Sequence, residues 1–164
     1  MNPLELLADS LGGNLGMLKA TISDFSDQDM LTRPTPAANN AIWQLGHMAV
    51  SDPWMFGTAG FPNAVPATPA EWAGKFDSDQ AKNDDPAFFP KKDEVLSYME
   101  RARETLAKWV KTLTPLDLEK PMPDPIKGFA PTLGHLILMI PVHTAMHVGQ
   151  LQVIRRKLGK PVLF

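Results

Sequence analysis

Sixteen prolines in 164 residues, and above all where they fall, limit this chain to a few long segments joined by long connections. Five lie between Phe61 and Pro90 and five between Pro115 and Pro131. Neither stretch can be continuous helix or central strand, because each proline lacks an amide proton and fixes its own φ. Only Pro53 and Pro141 interrupt stretches that otherwise read as helical. Between the clusters run four segments whose apolar residues recur every three and four positions.

The first helix begins at Asn2, with Pro3 at the first helical position and Glu5 at the third, a cap, a preset φ and a capping partner in sequence. Its apolar stripe is Leu4, Leu7, Leu11, Leu15, Leu18 and Ile22; Gly12, Gly13 and Gly16 are expected to mark close packing against a neighbour. Ser26 opens a short turn. The second helix spans about 40–57, capped by Asn39 or Asn40, with Pro53 expected to bend it or split it after Ser51. The third carries Val95, Leu96, Met99, Ala102, Leu106, Val110 and Leu113 on one face. The fourth starts near Thr132 and stops at Gly159, with Arg155, Arg156 and Lys157 placed favourably in its last turn.

No stretch alternates with period two for long enough to be a strand, so the chain is expected to be all-α, a four-helix bundle forming one domain over 1–164. The connection before the third helix, about thirty residues, is too long for a tight hairpin. It can return the chain along the bundle and leave the second and third helices parallel. Within it, Thr68-Pro69-Ala70-Glu71 reads as the capped start of a short helix through Lys75.

Apolar residues make up 44% and charged residues 21%, and the net charge is −2. That is ordinary for a globular protein and offers no basic footprint for nucleic acid. No apolar run approaches the ~20 residues that span a bilayer, and the N-terminus lacks a basic region followed by an apolar block. A cytoplasmic protein without membrane or nucleic-acid partners is expected. With no cysteine, disulfides, a cysteine nucleophile and thiolate ligation are excluded, so any metal is held by nitrogen and oxygen.

The chemistry concentrates in the histidines. The buried stripe of the fourth helix should read Leu133, Leu136, Ile137, Ile140, then 143/144, 147, 151, 154 and 158. At 143 and 147 it carries His. Four apart on one face, their Cβ atoms stand about 6 Å apart, and both imidazoles can reach one ion at about 2.0–2.1 Å. Taken alone, such a pair is more often two hydrogen-bonded core histidines. An inward pair is costly without partners, however, and one cation satisfies both rings. His47, midway along the second helix, supplies a third ligand. Trp43 and Trp54 share its face, either as core or as the lining of a pocket beside the ion. His135 lies two turns before His143, about 12 Å along the axis, and reads as a capping or surface residue.

His143-Thr144-Ala145-Met146-His147-Val148-Gly149-Gln150, followed by Leu151-Gln152-Val153-Ile154-Arg155-Arg156 and Gly159-Lys160-Pro161, resembles the HxxxHxGQ signature of the DinB/YfiT superfamily. Asn40-Ala41-Ile42-Trp43-Gln44-Leu45-Gly46-His47 is similar to the segment that supplies that family's first histidine. The resemblance implies an up-down-down-up bundle, three histidines on an exposed divalent ion (commonly nickel or zinc), and frequently a homodimer. Characterised relatives include bacillithiol transferases and mycothiol-dependent maleylpyruvate isomerase, which act with low-molecular-weight thiols, so the resemblance implies a site without fixing a substrate. Pro141, two residues before His143, departs from the pattern; it can re-aim the metal face or be absorbed by a local bulge.

Three neutral imidazoles leave an ion's charge uncompensated and a coordination position open, the pattern of a reactive site. The expected function is a metal-dependent transferase or hydrolase that activates a small thiol or water, with a small-molecule substrate. The alternative is a non-catalytic, metal-dependent ligand-binding or stress-associated protein. No general base stands out. Asp52, Gln44 and Gln150 are candidates for orienting the ligands, with Gln150 favoured over Asp52. Metal affinity is expected to fall as the pH drops through about 6.5, where an ordinary imidazole takes up its proton.

Overall fold

Asn2 accepts the amide proton of Leu4 through its side chain and, with Pro3 behind it, starts α1 (Pro3–Ile22). This computed structural model describes residues 2–163. Leu4, Leu11, Leu15, Leu18 and Ile22 are buried along one side of α1, with Leu7 packed at the edge of that core. Ser26 and Asp29 cap one another, side chain to amide in both directions, at the turn that follows. Asn40, whose side chain accepts from the Trp43 amide, opens α2 (Ala41–Thr58). Then come α3 (Lys92–Val110) and α4 (Leu133–Lys157), and Gly159, at a φ of +68°, ends α4 in the left-handed conformation glycine adopts without strain.

The directions of the helices follow from who touches whom. Lys19 of α1 pairs with Glu100 of α3, and Lys92, at the start of α3, donates to the carbonyl of Phe25 beyond the end of α1, so these two are antiparallel. Arg155, near the end of α4, donates to the Thr21 carbonyl near the end of α1, so α1 and α4 are parallel. Asp52 meets Arg103 and Phe56 meets Trp109, so α2 and α3 run the same way. The result is up-down-down-up, with α1 and α2 each packed against both α3 and α4.

The connection between α2 and α3 closes the bundle. Trp72, Phe76 and Phe89 from it are buried in the core. Phe76 lies so close to Gly46 of α2 that a Cβ there would stand 1.8 Å from its ring. Thr68 does not cap a helix. Only a 3-10 turn, Ala70–Trp72, forms there without a side-chain cap; the chain leaves the helical path at Ala73, with a ψ of 126°, and Gly74 follows at a φ of +74°. A second 3-10 segment, Ser78–Lys82, follows.

Other expectations need correction. Pro53 does not split α2 after Ser51, and Pro141 likewise lies inside a continuous α4. Gly12, Gly13 and Gly16 pack against nothing, since a Cβ on any of them would meet no atom within 4 Å. They lie off the leucine stripe, on the exposed face. Finally, α4 is by length and composition apolar enough to cross a bilayer, alone among the described helices, although no such run was expected. Half of its apolar stretch is packed inside the bundle, against α1 and α2. Among the described residues no strand forms beyond an isolated bridge between Pro121 and Thr132.

Candidate metal centre

The start of α2 is fixed before the first histidine appears. Besides capping the helix, Asn40 donates through Nδ2 to the Asn83 carbonyl (2.9 Å) and to Oδ1 of Asp84 (3.0 Å). Arg33 grips the same loop through the carbonyls of Ala81 and Asn83 and the Asp84 carboxylate. One turn on, the Trp43 indole donates to the Asp77 carbonyl (3.1 Å) and its ring stacks on that of His47, with centroids 4.8 Å apart and planes 7° from parallel. The long connection thus holds Trp43, and Trp43 holds His47.

Across the seam with α4, His47, His143 and His147 each present a ring nitrogen, and the three atoms lie within 4.8 Å of one another. The Nε2 atoms of His143 and His147 are 3.1 Å apart. Two nitrogens bound to one ion at about 2.0–2.1 Å stand roughly that far from each other, so the donor set fits a divalent cation of zinc or nickel size. His147 is buried; His47 and His143 are half-buried and leave the site open on one side.

The tautomer of His147 follows from its neighbour. Buried Gln44 donates through Nε2 to the Asn39 carbonyl (2.9 Å), which turns its Oε1 toward Nδ1 of His147 at 3.3 Å. An amide oxygen there accepts a proton from Nδ1, so the lone pair of Nε2 points at the common centre. Burial lowers the proton affinity of all three rings. His143 is pushed down to about 4 by desolvation, with His47 and Arg103 adding repulsion. His147 reaches about 4 through burial and the other two histidines, the Gln150 side chain working the other way. At neutral pH the three rings are uncharged.

Behind the histidines sits an ion pair that sequence reasoning missed. Nε of Arg103, on α3, lies 3.0 Å from Oδ2 of Asp52, and both side chains are only 3% exposed. Arg103 also donates through Nη2 to the Thr144 hydroxyl (3.0 Å), which donates to the Ile140 carbonyl, so three helices are tied together one residue from His143. Burial raises the Asp52 carboxyl to about 6, against the opposing pull of Arg103. A signal was available: Arg103 stands between Met99 and Leu106 on the buried face of α3.

The structure brings His47, His143, His147 and Gln44 together. It leaves out His135, which is exposed with Nδ1 2.8 Å from the Thr132 hydroxyl. Asp52 is committed to Arg103. Gln150, favoured from the sequence, is exposed, and the closer partner of His147 is Gln44.

A sequence profile described as the DinB superfamily matches residues 12–151. No curated protein matches the chain. Among solved structures, a conserved protein from Enterococcus faecalis superposes with a TM-score of 0.73 at 15% identity, covering 98% of this chain and 99% of its own. YfiT from Bacillus subtilis, described as a probable metal-dependent hydrolase with an unusual four-helix bundle topology, superposes at 0.69 with 17% identity, covering 96% and 89%. At these identities the likeness is one of fold.

Proposed function

This chain belongs to the DinB superfamily, and from that premise we propose that it is a divalent-metal-dependent transferase or hydrolase, with His47, His143 and His147 as the metal ligands. The observation that carries the reading is three neutral ring nitrogens within 4.8 Å of one another. Among the described residues no carboxylate joins them, and three protein ligands leave coordination positions free for a reactant. A nickel or zinc ion held there would supply a Lewis acid able to acidify water or a thiol. The chain's own part is to keep the nitrogens aimed. Gln44 fixes the Nδ1 proton of His147, Trp43 fixes the plane of His47, and the packed bundle keeps water from the inner side.

A low-molecular-weight thiol is the favoured nucleophile for the transferase, since a chain without cysteine must take its thiol from outside. The hydrolytic arm has support from the description of YfiT. This reading places the whole site in one domain, 1–164, working in the cytoplasm. Homodimerisation is supported by exposed Leu138, Val142, Met146 and Val153 along one side of α4. The alternative, a metal-dependent binder without turnover, is favoured by one observation: the carboxylate of Asp52 is occupied by Arg103, and no other acid or base is hydrogen-bonded to the three rings among the described residues.

Calorimetric titration of metal-free protein with nickel and zinc, followed by a small thiol, decides between these readings. Thiol binding and turnover only with metal support the transferase, and water-driven turnover supports the hydrolase. Metal uptake without either reaction supports the binder. His143→Ala or His147→Ala should abolish tight metal binding with helicity retained, and His135→Ala should not. Unchanged metal affinity in both of the first two variants would overturn the site.

A further inference from the structure

Beside His143, between the second half of α2 and the first half of α4, lies an open pocket of about 190 Å³. It is lined by Ser51, Trp54, Met55, Phe129, Met139 and His143. Its walls carry no charged side chain. The hydroxyl proton of Ser51 is already donated to the His47 carbonyl at 2.6 Å. Trp54 is 54% exposed and Phe129 40%, large aromatic faces that nothing in the bundle covers. Met55 and Met139 add flexible thioethers, which adapt to a flat ring and make favourable sulfur–aromatic contacts.

Position gives the pocket its meaning. His143 is part of its wall, so whatever is held by the three histidines has its remaining atoms at the mouth of an apolar cavity. A cavity of about 150 Å³ accepts a benzene ring. This one therefore takes a single ring with a short tether. We propose that it is the binding site for an aryl-sized apolar group on the substrate, so that the substrate class is a small molecule with a metal-seeking end joined to one uncharged ring or comparable hydrocarbon. Trp54 and Phe129 are then specificity-determining residues. The inference rests on the metal-site reading above and extends it to the part of the substrate that does not react. A second copy of the chain is better suited to the exposed stripe of Leu138, Val142, Met146 and Val153 on α4, none of which lines the pocket.

The test compares two hydroxamates with the same metal-binding head, acetohydroxamate and benzohydroxamate, titrated calorimetrically into the zinc-loaded full-length protein. Benzohydroxamate should bind roughly 30-fold more tightly, the gain expected when a ring is buried in place of a methyl. It should also change a tryptophan emission that is lost in Trp54→Ala. In Trp54→Ala and Phe129→Ala the preference should shrink below about threefold, while zinc and acetohydroxamate bind as before. Equal affinity of the two hydroxamates for the zinc-loaded parent protein would overturn the pocket and leave the metal site standing. Failure to bind zinc at all would overturn both. A preference that tracks dimer formation in sedimentation, and not Trp54 or Phe129, would assign the pocket to a subunit interface and overturn the proposal.

Discussion

The ring of Trp43 lies 4.8 Å from that of His47 and within 7° of parallel, while its indole nitrogen donates to the carbonyl of Asp77 in the connection between α2 and α3. A half-buried imidazole is thereby held in one plane by a residue that is itself tied to a segment 34 positions away. Trp43→Leu removes both restraints and should weaken metal binding about tenfold with helicity unchanged, as loss of an orienting neighbour does at metal sites. Equal affinities for parent and variant by calorimetry would show that Trp43 is core packing only.

Gln44 acts on the opposite ligand. Gln44→Leu removes the acceptor for Nδ1 of His147 and should cost 10- to 100-fold in metal affinity, roughly the loss seen when such partners are removed. Gln44→Glu keeps an acceptor in place and should recover the parent affinity to within about threefold. Nitrogen chemical shifts of His147 provide the check, since the Leu variant should lose the single tautomer.

The pH dependence separates this site from three exposed histidines. Protons compete with metal for the ring nitrogens, and with burial lowering all three rings, His143 and His147 to about 4, the fall in metal affinity should begin below pH 6.5 and steepen toward 4. The unperturbed value near 6.5 would have placed the fall higher. In metal-free protein the unfolded chain takes up protons at 6.5 where the folded one does not, so these rings contribute stability present above 6.5 and lost as the pH falls toward 4. Titration with zinc at half-unit pH steps reads the first effect directly; an affinity already halving at pH 6.5 would contradict it.

Asp52 and Arg103 are a buried pair whose members depend on each other. Asp52→Asn leaves the guanidinium buried without its counter-charge and should cost about 3–5 kcal/mol in urea unfolding. Asp52→Leu combined with Arg103→Met should recover most of that loss, because well-packed apolar side chains often replace a buried pair at little cost. Additive losses in the double variant would refute the coupling.

Gly46→Ala should be the most damaging single-carbon addition in the chain. Its Cβ would stand 1.8 Å from the Phe76 ring, so the ring must leave the core and take the connection with it. A loss of about 3 kcal/mol in thermal or urea unfolding is expected, at the upper end for overpacking. Gly13→Ala, on the open face of α1, should instead be neutral or stabilising by about 1 kcal/mol.

Much of this was legible in the sequence because helices announce themselves by period and cap. Asn2, Asn40 and Gly159 mark their ends as expected, and the stripe of α4 carries His143 and His147 inward at the places where leucine would sit. What was not legible depended on neighbours. Thr68 carries a capping pattern, but the chain past it turns away at Ala73 and Gly74. Pro53 and Pro141 each remove a single helical bond, and in a packed bundle that is too little to end a helix. The three glycines of α1 were misread although their register alone sets them opposite the leucines. Gln44 and Gln150 are chemically equivalent, and only the crossing of α2 with α4 brings Gln44 to His147 at 3.3 Å.

Because the ligands are divided between α2 and α4, a bound ion would fasten together points separated by about a hundred residues of chain, enclosing the long connection, α3 and the proline-rich segment after it. A clasp on so large a loop restricts the unfolded chain as a disulfide would. In a chain that has no cysteine, the fold's one removable fastening would then answer to chelators and acid in place of reductants, and metal loading should be read as much in resistance to unfolding as in turnover.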